Sequence, residues 1–185
     1  TAIGRIADAH IKRRSGARPG DAILVAGELG LSGAGLRDIL AGRYDTPAAA
    51  AHRNPQPQVA EGIWLGARPE IHAMMDLSDG LASDLMQLCK ASDCGARIYL
   101  ERIPIARQTH QLAEEMHTDP VVAALNGGQD HELLFTVPLS MQEQVMRLGL
   151  VDVIGHITQP GTECYLVTPD GSDIRLKAQG FKEEI

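Results

Sequence analysis

At 185 residues the chain is long enough for one domain with a core of its own. A hydrophobic fraction of 44% with 22% charged residues is globular composition and excludes a disordered or fibrous chain. The net charge of -7 and the aromatic content of 3% argue against binding to nucleic acid or to an anionic membrane, which call for basic and stacking surfaces. No apolar run has the length to cross a bilayer, and no charged-then-apolar leader opens the chain. Cys89, Cys94 and Cys164 are odd in number and lack CxxC spacing, so neither a disulfide framework nor a zinc site is expected. A reducing cytoplasm is the expected setting. Thr1-Ala2-Ile3-Gly4 reads like the middle of a strand, and the expectation is one domain over 1–185 with a further N-terminal part absent.

In chain order, residues 1–10 read as extended and 11–18 as a basic loop carrying Lys12, Arg13, Arg14 and Arg18. Pro19-Gly20-Asp21 is a turn, and the apolar run 22–26 is a buried strand. A glycine-rich turn over 27–35 leads to Leu36, Ile39 and Leu40 at helical spacing. Residues 43–57, with three prolines, read as an unstructured surface connection. A helix follows over 59–67, with Val59, Ile63 and Trp64 on its apolar face. A strand over 71–77 feeds a helix whose face is Leu81, Leu85, Leu88 and Cys89, with Gly95 as its stop. Beyond it come a strand at 96–100, helices at 108–116 and 121–125, and a turn at 126–130. A strand at 133–137, a helix at 141–148 and strands at 151–157 and 164–168 complete the pattern. The alternation predicts an α/β domain, a mixed sheet flanked by helices.

Chemistry concentrates at Asp76-Leu77-Ser78-Asp79, a strand-to-helix junction. Two carboxylates and a hydroxyl within four residues are unfavourable unless a cation offsets them, and residues 76 and 78 of a strand share a side. Two readings stand: a magnesium site bridging to phosphate, or simple helix capping by Ser78 or Asp79. Gly127-Gly128-Gln129-Asp130 is either a ligand-contacting loop with Asp130 projecting from it or a plain turn. The glycine-rich stretch 27–35 is either a phosphate cradle or close helix–strand packing, since it matches neither GxGxxG nor GxxxxGK[ST]. The basic loop is either a phosphate clamp or a solvated charge run. The seven histidines show no metal-ligand spacing.

Four segments together resemble the thiamine-monophosphate kinase family. Arg14-Ser15-Gly16-Ala17-Arg18-Pro19-Gly20-Asp21 is similar to its "RSGAkpGD", and residues 30–36 to its "G-x-SaaGL". Asp76-Leu77-Ser78-Asp79-Gly80-Leu81 is similar to its "DiSDGL", and residues 127–135 to its "GGeDYELLF". The order and spacing hold along nearly the whole chain. The resemblance implies the C-terminal α/β domain of the aminoimidazole ribonucleotide synthetase-like fold. The N-terminal domain, which forms the homodimer and much of the ATP site, would lie outside this chain. It implies transfer of the γ-phosphoryl group of ATP to thiamine monophosphate, with Mg2+ as cofactor. It further implies Asp76 and Asp79 as magnesium ligands, Ser78 and Arg14 as ATP contacts, and Asp130 and Phe181 as substrate contacts. Departures are Gln129 for an acid, His131 for a Tyr, Leu31 for an Asp, and Lys182-Glu183-Glu184 in place of an aromatic ending. The alternatives are another phosphotransferase or synthetase of that superfamily, or a non-catalytic domain of the same fold.

Overall fold

The computed structural model describes residues 4–147 and 151–177. Phe181 and Leu148 lie outside the described residues. Seven strands form one sheet: β1 (Asp21–Ala26), β2 (Ala73–Asp76), β3 (Gly95–Tyr99), β4 (Leu133–Pro138), β5 (Val151–Thr158), β6 (Cys164–Val167) and β7 (Asp173–Arg175). Their spatial order is β2-β4-β1-β5-β3-β6-β7. Among the described strands only the β3–β6 pair is parallel, so the expected mixed sheet is present.

Period-two alternation sorts the strand residues between two cores. Ile23, Val25, Ala73, Met75 and Leu134 face one layer, built with Leu81, Leu85, Leu88 and Cys89 of α4 (Leu81–Ser92) and Ala124 of α6 (Pro120–Asn126). Ala22, Leu24, Phe135 and Val137 face the other, covered by Leu65 of α3 (Val59–Gly66) and Val145 of α7 (Gln142–Met146). Being covered on both faces, β1 reads as a continuous apolar run. A satellite cluster of Ala34, Ala48 and Leu112 joins α1 (Leu31–Leu40), α2 (Pro47–Arg53) and α5 (Arg107–Glu115). The three cysteines are free and sit together in the first core.

Several expectations are corrected. Residues 43–57 contain α2: Thr46 Oγ1 accepts from the Ala49 amide, and Pro47 opens the helix where its missing N–H costs nothing. On α3, Val59 and Ile63 are 60% and 70% exposed, while Leu65 is buried and Trp64 half-buried under the Arg68 guanidinium. The buried stripe is therefore displaced from the one expected. Gly95 does not stop α4. Asp93 ends it in the left-handed region at φ 50°, and Gly95 starts β3 because a Cβ there would lie 2.6 Å from the Thr162 carbonyl oxygen. Helix α1 begins at Leu31, inside the glycine-rich stretch, and residues 8–10 form a 3-10 turn rather than extended chain. The short strand β7 was not expected.

Strand geometry places three segment ends side by side. β1 and β2 both run antiparallel to β4, with Ala26 and Asp76 each opposite Leu133. The loops leaving β1 and β2 and the loop entering β4 therefore share one edge of the sheet.

Glycine positions give a stability test. A Cβ at Gly155 of β5 would fall on the Arg97 carbonyl and lie 2.8 Å from Ile98 Cα, whereas one at Gly62 of α3 meets nothing within 4 Å. Gly155→Ala is predicted to cost at least about 2 kcal/mol, and Gly62→Ala to stabilise by roughly 0.5–1 kcal/mol. Urea unfolding of the two variants against the wild type checks both signs.

Candidate functional site

The loop after β2 and the loop before β4 continue the ladder of their strands. The Leu77 amide donates to the Glu132 carbonyl at 2.8 Å, the His131 amide to the Leu77 carbonyl at 2.9 Å, and the Gln129 amide to the Ser78 carbonyl at 2.8 Å. Glycine is required where the two loops touch. Gly128 has φ 66°, and a Cβ on it would lie 2.9 Å from the Ser78 carbonyl oxygen. Gly80 has φ 97°, and its Cβ would lie 2.7 Å from the Leu125 carbonyl oxygen. The two motifs read separately in the sequence are thus one interlocked structure.

Neither Ser78 nor Asp79 caps α4. The N-cap is Gly80, and no side-chain cap bond is made there. Asp84, one turn into the helix and fully buried, takes the amides instead: Ser78 N and Asp79 N both donate to its Oδ2 at 2.9 Å. Burial pushes the Asp84 carboxyl above the usual range, and the charges of Asp79 and Asp76 push the same way, while the two amides oppose them. Asp84 was missed in the sequence. A carboxylate among Leu81, Leu85 and Leu88 on the apolar stripe was the signal that could have found it.

With the capping duty discharged by Asp84, Asp76 and Asp79 are free of backbone partners among the described hydrogen bonds. Asp76 is more than half exposed, 3.8 Å from His131 Nδ1. Asp79 Oδ2 lies 3.4 Å from Gln87 Nε2. Two carboxylates with the Ser78 hydroxyl between them in sequence make an all-oxygen donor set. That fits Mg2+, which commonly takes one or two carboxylates and completes its octahedron with water and phosphate oxygens. Among the described residues no group of three or more His, Cys, Asp or Glu side chains is gathered to hold a metal. The fit is to an ion shared with a phosphate ligand, not to a closed protein cage.

Arg14 is brought to the same place. Ser92 Oγ donates to the Arg14 carbonyl at 2.6 Å and fixes the basic loop on the end of α4, and Arg14 Nη1 donates to Gln87 Oε1 at 3.0 Å. The neighbouring Arg13 carbonyl accepts from the Met74 amide on the free edge of β2.

Asp130 faces the glycine-rich turn. Its Oδ2 accepts from the Gly30 amide at 2.9 Å and its Oδ1 from the Ser32 amide at 3.1 Å, at the N-terminus of α1. The donors that a phosphate cradle would have offered there are thus partnered by a carboxylate, and Gly27–Gly35 acts in packing. A Cβ at Gly33 would lie 3.1 Å from Gly127 Cα. Burial pushes Asp130 up to about 6 against these two amides. Glu132, which accepts from Gln58 Nε2 at 2.6 Å, is pushed up to about 7 by burial and then by the Asp130 charge. Beside these acids an open cavity of about 450 Å3 is lined by Pro57, Gln58, Val59, Asp76, His131 and Leu133.

Residues 18–163 match the family described as AIR synthase related protein, C-terminal domain, and the chain belongs to that family. A thiamine-monophosphate kinase of Halobacterium salinarum is 42% identical over 160 residues, covering 85% of this chain and 53% of the relative. A crystal structure of thiamine-monophosphate kinase from Stenotrophomonas maltophilia K279a superposes with a TM-score of 0.79 at 28% identity, covering 91% of this chain and 56% of that one. A solved structure described as AaThiL complexed with AMPPCP and TMP gives a TM-score of 0.77 at 29% identity, covering 91% and 53%. The chain spans about half the length of the curated relatives it matches.

The raised acids predict a pH dependence. A carboxyl raised on folding holds its proton more tightly in the folded state, so its contribution favours the fold at low pH and is lost as pH rises. The window runs from 3.8 to about 6 for Asp130 and from 4.5 to about 7 for Glu132. Glu132→Gln should therefore gain thermal stability relative to wild type as pH is raised from about 5 to about 7.5. Melting curves across that range check it, and a difference independent of pH would contradict it.

Proposed function

We propose that this chain is the C-terminal part of a thiamine-monophosphate kinase, which transfers the γ-phosphoryl group of ATP to thiamine monophosphate and releases thiamine diphosphate and ADP. The observation that carries the reading is the convergence at one sheet edge of Asp76, Ser78 and Asp79, the 127–130 loop, and Arg14. The named relatives and the nucleotide-analogue complex among the structural neighbours support it.

In this reaction a terminal phosphate oxygen of thiamine monophosphate attacks the γ-phosphorus, and the bond from that phosphorus to the β-phosphate oxygen breaks. The protein's work is to align the two anions and offset their charge. Asp76 and Asp79 would hold Mg2+, which supplies charge neutralisation between phosphate groups when bound. Ser78 presents its hydroxyl to ATP from a loop fixed by Asp84. Arg14 brings a guanidinium to the ATP phosphates, where its fork matches paired oxygens. Asp130 meets the thiamine substrate with the lone pairs that Gly30 and Ser32 leave unused. For Phe181 the proposed contact with the thiamine rings rests on sequence alone. The half of the relatives' length that this chain does not span would supply the rest of the ATP site and the homodimer contact, in a cytoplasmic enzyme.

In a coupled ADP-release assay, the full-length enzyme should turn over with thiamine monophosphate and not with thiamine. Asp76→Asn should lower kcat by about 100-fold while circular dichroism and melting temperature stay near wild type. Equal rates for wild type and variant would remove Asp76 from the site. Turnover only on another phosphorylated acceptor would reassign the substrate.

A further inference from the structure

One neutral side chain stands between the cationic and anionic parts of the site. Gln87 lies on α4 one turn beyond Asp84 and is only partly buried. Its Oε1 accepts from Arg14 Nη1 at 3.0 Å. Its Nε2 lies 3.4 Å from Asp79 Oδ2 and 3.5 Å from Asp84 Oδ1. The orientation of the amide follows from its neighbours. A guanidinium has only donors, so the amide oxygen faces Arg14 and the NH2 faces the two acids. A terminal amide satisfies both sides at once. Glutamate in its place would repel the acids, and lysine would repel the arginine.

Among the described residues no salt bridge joins Arg14 to a carboxylate, although Arg14 and Asp79 bond to the same amide. A guanidinium and a carboxylate that meet with no neutral group between them favour a bidentate ion pair. Such a pair would consume the phosphate-binding donors of the one and the metal-binding oxygens of the other. We infer that Gln87 is a positioning residue, a spacer that keeps Arg14 and Asp79 aligned but uncombined. The inference rests on the proposed phosphoryl-transfer reading for the roles of those two residues.

The test compares two variants in the full-length enzyme. In Gln87→Leu the spacer is lost and Arg14 closes onto Asp79. KM for ATP should rise about tenfold with a smaller change in kcat, and Mn2+ affinity, read by electron paramagnetic resonance, should fall by a similar factor. In Gln87→Glu the new carboxylate captures Arg14 and adds an acid beside Asp79. Binding of a non-hydrolysable ATP analogue, read by calorimetry, should weaken about tenfold while Mn2+ binding in the absence of nucleotide is kept or tightened. A merely structural role would not produce that opposite behaviour of metal and nucleotide. Wild-type binding in both variants would overturn the inference, as would losses of metal and nucleotide that run in step with a fall in melting temperature. Failure of wild type to bind Mn2+ and nucleotide would overturn both the site and the spacer. The expected split without turnover of thiamine monophosphate would overturn the substrate assignment and leave Gln87 in place.

Discussion

The site depends on backbone pairing that does not stop where the strands stop. Asp76 stands opposite Leu133 at the end of the β2–β4 ladder, and three more amide–carbonyl bonds carry the pairing through residues 77–78 and 129–132. Two loops without regular structure thereby gain the rigidity of a sheet edge. The condition is close approach, met by glycine at 80 and 128 in left-handed or otherwise strained conformations with carbonyl oxygens under 3 Å from where a Cβ would be. Because β1 also ends at this edge, the same geometry lets Asp130 reach the start of α1.

That arrangement divides the acids by task. Asp84 and Asp130 accept from backbone amides: one fixes the junction before α4, the other the start of α1. Their burial is unfavourable to charge and pushes both carboxyls up, and the amides offset part of it. Asp76 and Asp79 are left with their oxygens available, Asp76 more than half exposed. Crowding of like charge is tolerated because the neutral amide of Gln87 and the guanidinium behind it face the acids. At this junction, which in the sequence reads as either a cap or a metal site, the amides of Ser78 and Asp79 go to Asp84, and the carboxylates of Asp76 and Asp79 take no backbone partner among the described hydrogen bonds.

The layers were legible because burial writes a period. The all-apolar run at 22–26 and the stripe 81, 85, 88, 89 match strand and helix faces that lie inside. What was not legible depended on long-range packing. Helix α2 is seven residues long and lies among prolines, and only its Thr46-Pro47 start announces it. The α3 face was misassigned because which side of a short helix lies inward is set by the sheet it rests on. At the site, Arg14, the DLSD loop and the 127–130 loop could each be singled out by residue type. Their mutual contacts, the inward turn of Asp130 and the bond from Arg14 to Gln87 join residues 51 to 100 positions apart, which local pattern does not report. The glycine-rich stretch was ambiguous for a related reason: its free amides are a phosphate cradle or a cap depending on whether a distant carboxylate arrives first.

The two departures beside Asp130 belong to this same geometry. Gln129 and His131 sit at φ 60° and 56°, in the left-handed region that side chains other than glycine seldom occupy. Both amides are tied to the DLSD loop, and Gln129 Nε2 adds a bond to the Ser78 carbonyl at 3.3 Å. The side chains then bond to each other, Gln129 Oε1 to His131 Nε2 at 3.2 Å. Backbone strain here is held by the interlock rather than by the identities of residues 129 and 131. The fold therefore permits change at these positions provided the pair can still meet. Such change alters what faces the cavity beside Asp76, which His131 lines, and replaces the imidazole 3.8 Å from the Asp76 carboxylate. The backbone that carries Asp76, Ser78 and Asp79 is held instead by the amides of residues 129 and 131, which any side chain other than proline's leaves in place.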